Sequence, residues 1–237
     1  MLNGNGKVDI LVSRSAAFGK DQVELSSEDV EYLDEVTDEI IDYYSDLIEN
    51  DIGPCDWDEA VGGNPNDIDS HPLESATSAG IGWSRFGKQK LKKGNYFEFV
   101  NDRKVLNSEP HTQKLKQTLE DIEDLAEAGY RTLQIDKNCL KDEMRPVDKV
   151  WKPRLFKARP LTSVLLKRKY FLRFKVEIKK LGLAACHAIG VDELSTNWDK
   201  IYYHLLEYGD EGFDADFGGF DSNQHRVFQE FGYQALR

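Results

Sequence analysis

The hydrophobic pattern along the chain predicts an α+β fold. Three observations carry this. Apolar residues recur at helical spacing in four stretches, and two short stretches, 133–141 and 212–217, have strand-like apolar patterns. Between them, residues 51–78 are rich in Gly, Pro, Asn and Asp, with Gly62-Gly63-Asn64-Pro65-Asn66 at their centre, and read as irregular loop. No sequence period repeats along the chain.

The first helix is expected over 26–50. Ser26 or Ser27 caps it, acids fill its first turn, and Val30, Leu33, Val36, Ile40, Tyr44 and Leu47 recur on one face. Its opposite face is heavily acidic, which sets it against contact with phosphates. The second helix runs from Pro110, tolerated in a first turn where its missing N–H would have no partner, to Ala128. Leu115, Leu119, Ile122 and Leu125 form its apolar stripe, and Gly129 supplies the left-handed residue after its end. Leu133 and Ile135 alternate with polar neighbours and predict a strand reaching Lys141. Thr162 is the expected cap of a long helix bearing Leu165, Leu166, Tyr170, Phe174, Ile178 and Leu181, closed by Gly182. Ser195 or Thr196 caps a shorter one with Trp198, Ile201, Tyr202, Leu205 and Leu206, ending at Gly209. A strand over 212–217 and a helix from about Ser222 complete the order.

At 237 residues, with 40% hydrophobic content, the chain holds enough apolar surface for one large domain or two smaller ones. A division is expected near residue 185, giving regions 1–185 and 186–237. No apolar run approaches the ~18 residues of a membrane span, and residues 1–6 lack the charged start and apolar block of a secretory signal. Cys55, Cys139 and Cys186 are odd in number and far apart, which points to free thiols and away from zinc or a disulfide framework.

A net charge of −12 would disfavour an anionic partner, but its distribution reverses that. Residues 141–180 hold 14 Lys and Arg against 4 Asp and Glu, leaving 17 against 39 elsewhere. Such asymmetry builds an electropositive surface on an acidic body, the footprint of a phosphate-rich ligand. Within it, Lys141, Arg145, Lys149, Lys152 and Arg154 recur along a stretch interrupted by Pro146 and Pro153, which favours extended backbone. Extended cations can line a channel, and Arg can chelate two phosphate oxygens at once. Asp142 and Glu143, inside the run, can hold some of these cations by ion pairing. Lys167, Arg168, Lys169, Arg173, Lys175, Lys179 and Lys180 fall on the following helix and are expected mostly as a solvated face.

The carboxylates Asp216 and Asp221 bracket Phe217-Gly218-Gly219-Phe220 where the last strand turns. Two glycines permit a sharp turn and close approach of a ligand. Carboxylate oxygen suits Mg²⁺ or Mn²⁺, which commonly take one or two such ligands plus substrate phosphates. Asp214 and Asp216 also echo the Asp-x-Asp of aspartyl-phosphate phosphatases and, faintly, a calcium loop; a structural acidic turn is the plain alternative.

Taken in order, these segments resemble the RNA-dependent RNA polymerases of picorna-like positive-strand RNA viruses, the dicistrovirus and marine picorna-like branches above all. Lys141-Asp142-Glu143-Met144-Arg145-Pro146, with Lys152-Pro153-Arg154 and Ala158-Arg159-Pro160-Leu161 beyond, is similar to motif F, the fingers segment over the nucleotide channel. Asn197-Trp198-Asp199 resembles the stretch before the first palm strand, and Asp216 to Asp221 matches motif A. Thr77-Ser78-Ala79-Gly80, followed by Lys88, Lys90, Lys92 and Lys93, is loosely similar to a further fingers segment.

The resemblance implies the fingers and first palm strand of a right-hand polymerase, with 1–185 as fingers and 186–237 as the start of the palm. It implies that Asp216 and the carbonyl of Phe217 bind metal, and that Asp221 senses the ribose 2′-hydroxyl. Lys141 and Arg154 would contact triphosphate, while Arg145, Lys149 and Lys152 line the nucleotide and template channel. The basic arm is then expected to fold over the aspartates, so that a triphosphate bridges cations and metal. Implied partners are an RNA template, the nascent strand, nucleoside triphosphates and other viral replication proteins, at membrane-associated complexes in host cytoplasm. No Gly-Asp-Asp occurs in the sequence; the family carries it after motif A, with motif B and the thumb, so the chain is expected to be a fragment that stops short of them. A non-catalytic RNA-binding module is the second reading, and the phosphatase ranks last.

Overall fold

The structure is a computed structural model, and it describes residues 24–50, 52–149, 153–192, 194–216 and 226–234. Two compact units divide the chain, one of Met1–Asn50 with Glu177–Arg237 and one of Asp51–Val176.

In the unit of Asp51–Val176, helix α2 (Trp57–Gly62) is capped by Asp56, whose side chain accepts from the Glu59 N–H at 2.7 Å. Short strands β1 (Arg85–Phe86) and β2 (Gln89–Lys90) pair antiparallel, as do β3 (Phe97–Val100) and β4 (Arg103–Leu106). Asn101 and Asp102 both take positive φ between β3 and β4, the two-residue turn whose twist matches an antiparallel pair. Helix α3 (Pro110–Glu127) begins with Pro110 as expected. Leu115 and Leu119 are fully buried, but Leu125 is exposed, so the stripe is covered only along the first half of the helix. Gly129 follows at φ +82°, in the left-handed region.

Strand β5 (Lys137–Leu140) pairs antiparallel with β6 (Leu155–Ala158). The expected strand over 133–141 is therefore shorter: Leu133 is exposed and 130–136 are irregular. Alternation yields a strand only where a partner backbone takes the hydrogen bonds, and β6 offers four residues. The basic run between the strands is a loop, as its prolines suggested, with one 3-10 turn at Val147–Lys149.

Helix α4 (Leu161–Leu181) begins one residue before Thr162. Thr162 is buried, and the first N–H, of Leu161, donates to the Ala79 carbonyl at 2.9 Å. A tertiary carbonyl thus satisfies the first N–H of the helix, while the Thr162 hydroxyl, already inside the first turn, donates to Gln134 Oε1 at 3.2 Å instead of capping. The buried positions are Leu161, Leu165, Leu172 and Val176; Tyr170, expected on the stripe, is exposed. Together Val61, Tyr96, Leu106, Leu115, Leu119 and Leu165 form the main core.

The basic side chains of α4 correct the expectation of a solvated face. Half-buried Arg168 donates to the carbonyls of Ala60 and His71. Lys169 pairs with Glu123 at 2.5 Å and lies 4.5 Å from the centre of the Trp57 ring, and Arg173 pairs with Glu59 at 2.8 Å. These cations fasten α4 to its neighbours, because α2 and α3 present carbonyls and carboxylates beside it.

In the other unit, α1 (Ser27–Leu47) is capped by Ser26, with a reciprocal capping box to Asp29. Tyr44 donates to the Ala185 carbonyl at 3.0 Å, and Tyr43 to that of Ala184, in the 3-10 turn Gly182–Ala185. Helix α5 (Asn197–Leu206) follows Thr196 as its N-cap, without a side-chain cap bond, and stops before the expected Gly209. Helix α6 (Arg226–Gln234) packs on α1. Residues 212–216 are irregular and exposed, which corrects the strand expected over 212–217: among the described residues no neighbouring strand pairs with them. Phe217 lies outside the described residues.

Candidate functional site

The register of β5 and β6 decides which side chains share a face. Lys137 is opposite Ala158, and Cys139 opposite Phe156. The Lys141 N–H then donates to the Arg154 carbonyl at 2.8 Å, extending the ladder by one position. Alternate pairs point the same way, so Lys141 and Arg154 stand side by side on the face that also carries Cys139 and Phe156. Two cations 13 positions apart in sequence are thus neighbours in the hairpin.

Glu143 holds the loop that continues from this pair. Lys141 Nζ lies 3.3 Å from Glu143 Oε2, and Arg145 Nε lies 3.6 Å from Oε1. Arg154 donates Nε to Oε1 at 2.7 Å and its Nη2 to Oε2, a bidentate fork. The Arg154 hydrogen bonds, joined by that of Lys141, hold the Glu143 carboxyl down at about 2. Ion pairing by Glu143 agrees with the expectation from sequence; no ion pair of Asp142 is found among the described residues.

The same hairpin face walls a cavity of about 910 Å³ whose other side is the loop from Thr77 to Arg85. Lys93, Arg85, Lys137, Lys157 and Arg159 line it together with the hydroxyl residues Thr77, Ser78 and Ser84, and among the described residues no carboxylate does. Burial pushes the Lys93 ammonium down from its ordinary value. Arg159 reaches Asp136 at 3.9 Å. Gly80, at φ +82°, is pressed against the hairpin's exit: a Cβ there would lie 2.6 Å from Pro160 Cα and 2.7 Å from the Arg159 oxygen. Of the cavity's cations, Arg85 and Lys137 carried no signal in the sequence, since a lone basic residue in a short strand has no distinguishing pattern.

The remaining candidates are placed less fully. Asp216 belongs to the other unit and is exposed at the end of the irregular 212–216 stretch; no hydrogen bond or ion pair engages it among the described residues. Asp221, Phe217 and Lys152 lie outside the described residues, and of Lys149 only the backbone is described, in its 3-10 turn. Among the described residues no three His, Cys, Asp or Glu cluster for a metal.

Comparison with known proteins converges on one family. Residues 67–234 match the model of viral RNA-dependent RNA polymerase. The replicase polyprotein of Cricket paralysis virus is 30% identical over 184 residues, covering 74% of this chain and 10% of that polyprotein. That of Drosophila C virus is 27% identical over 175 residues, covering 70% of this chain and 10% of its own. The chain therefore spans about a tenth of these relatives. Among solved structures, the Sicinivirus 3Dpol RNA dependent RNA polymerase superposes with a TM-score of 0.73 at 20% identity, over 96% of this chain and 43% of that one. That likeness establishes the fold, a mixed α+β architecture matching part of a right-hand polymerase. With more than half its length matched by the family model, the chain belongs to the viral RNA-dependent RNA polymerases.

Proposed function

We propose that this chain is part of an RNA-directed RNA polymerase and supplies two of its working parts, a cationic holder for nucleoside triphosphate and a metal-binding carboxylate. One observation carries the first part: Lys141 and Arg154 stand side by side on one hairpin face, ordered by a shared carboxylate. Two ordered cations suit a triphosphate, with Arg154 able to chelate oxygens and Lys141 acting as a point charge. Arg145, Lys149 and Lys152 continue the cationic lining toward template. In this reading residues 1–185 are fingers and 186–237 begin the palm.

The carboxylate oxygens of Asp216 and the carbonyl of Phe217 form a hard-oxygen donor set, which fits Mg²⁺ or Mn²⁺. When bound, the metal supplies charge neutralisation at the reacting phosphate. Asp216, exposed and unengaged among the described residues, is available for it. Asp221 takes the ribose 2′-hydroxyl as a hydrogen-bond partner. In the whole enzyme the nascent strand's 3′-hydroxyl attacks the α-phosphorus of the nucleoside triphosphate, and pyrophosphate leaves. The relatives are viral replicases, so the setting is replication within a host cell; association with membrane complexes and other replication proteins belongs to the same proposal. Among the described residues no helix is long and apolar enough to cross a membrane.

The test is single-nucleotide incorporation by the chain joined to the rest of its polymerase. Asp216→Asn is expected to remove nearly all incorporation while leaving RNA binding in place. Elongation that survives the change refutes the metal assignment.

A second reading, an RNA-binding module without chemistry of its own, is favoured by the cavity's five cations and three hydroxyl residues. Titration of the 237-residue chain with single-stranded RNA at two salt concentrations tests it. A log–log slope of about −0.7 for each phosphate contacted is expected, and negligible binding rules the module out.

A further inference from the structure

We infer that Glu143 is a positioning residue, a carboxylate pedestal that aims Lys141 and Arg154 outward at phosphate instead of competing with it. The inference rests on the reading that these two cations take phosphate, and adds how they are held. Three cations converge on this one carboxylate. Their exposure decides the arrangement: the Glu143 side chain is only 15% exposed, while Lys141 is 49% and Arg154 60% exposed. The carboxylate therefore lies beneath and the cationic heads face solvent.

Donor accounting agrees. Arg154 uses Nε and one Nη2 proton on Glu143, and a guanidinium has five N–H groups, so three remain for a ligand. The fork fixes the guanidinium plane, and the ladder bond from Lys141 to Arg154 fixes the two backbones. Without the carboxylate, two long side chains would have to be ordered by the ligand itself, at a cost in rotamer entropy.

This arrangement gives a prediction opposite in sign to that of net charge. Three positive charges on one negative leave the cluster at +2, and Glu143→Gln raises it to +3. Coulomb attraction alone then demands tighter anion binding, whereas loss of positioning demands weaker binding.

The experiment is calorimetric titration of the 237-residue chain with inorganic tripolyphosphate at low salt, without divalent metal. Glu143→Gln is expected to weaken binding about tenfold, the equivalent of losing one well-placed charged hydrogen bond. Glu143→Asp, which keeps the charge on a shorter stem, is expected to recover affinity to within about threefold of the parent. In an Arg154→Gln background, Glu143→Gln is expected to change affinity by clearly less than in the parent, about threefold or under, because only Lys141 is left of the two cations it aims. Equal or tighter binding by Glu143→Gln overturns the inference, as does an undiminished effect in the Arg154→Gln background. A loss of binding that tracks a lowered melting temperature, with Glu143→Asp no better, also overturns it, in favour of a purely structural role. If the parent chain binds no tripolyphosphate, the phosphate-holder reading itself fails and takes the pedestal with it.

Discussion

Replacing Arg168 with Met separates a structural cation from a solvated one. Composition and spacing assign Arg168 to a run of surface charges on α4, where substitutions typically change stability by no more than ~0.5 kcal/mol. The structure gives it two carbonyls instead. Ala60 is fully buried, so removing the guanidinium leaves its carbonyl beyond the reach of water, at a cost of about 1–3 kcal/mol. His71 is exposed, and water replaces the bond its carbonyl loses. Met fills the space of the Arg stem, so little packing is lost. The net expectation is about 2 kcal/mol of destabilisation, which for a chain of this size lowers Tm by roughly 4–8 °C. Urea and thermal unfolding followed by circular dichroism measure it, with Lys167→Met, an exposed neighbour on the same helix, as the control. Equal, near-zero effects in both variants would show that Arg168 is surface charge after all and that the α2–α4 bond contributes nothing.

Three further outcomes are expected. The Glu143 carboxyl sits at about 2 when folded, below its ordinary 4.5, so its stabilising pairing is complete above 4.5 and is lost as pH falls toward 2. The stability difference between the parent chain and Glu143→Gln should accordingly vanish across that window in acid titrations, and a difference that persists at pH 2 would contradict the pairing. Burial pushes the Cys55 thiol up to about 11, whereas Cys186 is exposed; a thiol reagent at pH 8 should label Cys186 quickly and Cys55 only after unfolding, and rapid labelling of Cys55 would contradict its burial. In the joined polymerase, Asp221→Asn should relax the choice of ribose over deoxyribose, measured as the ratio of kcat/KM for the two nucleotides; an unchanged ratio removes the sugar-sensing role.

Much of the site was legible because its residues are local in sequence. Lys141, Glu143 and Arg145 lie within five positions, and the prolines at 146 and 153 announced a non-helical connection. Less legible was the role of the α4 cations, since a periodic Lys/Arg run looks the same whether it meets water or the carbonyls of α2. Thr162 illustrates the same limit: its type suits a cap, yet the helix begins one residue earlier and the Thr162 hydroxyl donates to Gln134, 28 positions away in the chain.

The amino-acid order by itself determined the α+β class, the helices that start at Ser27 and Pro110, and the polymerase family, because caps, periodicity and motif spacing are short-range properties. Only tertiary structure decided that Lys141 and Arg154 meet on one face, that five cations share a cavity, and that 212–216 stays irregular. Each of those depends on which backbone lies alongside another, and strand register and burial are set by partners that no local window contains.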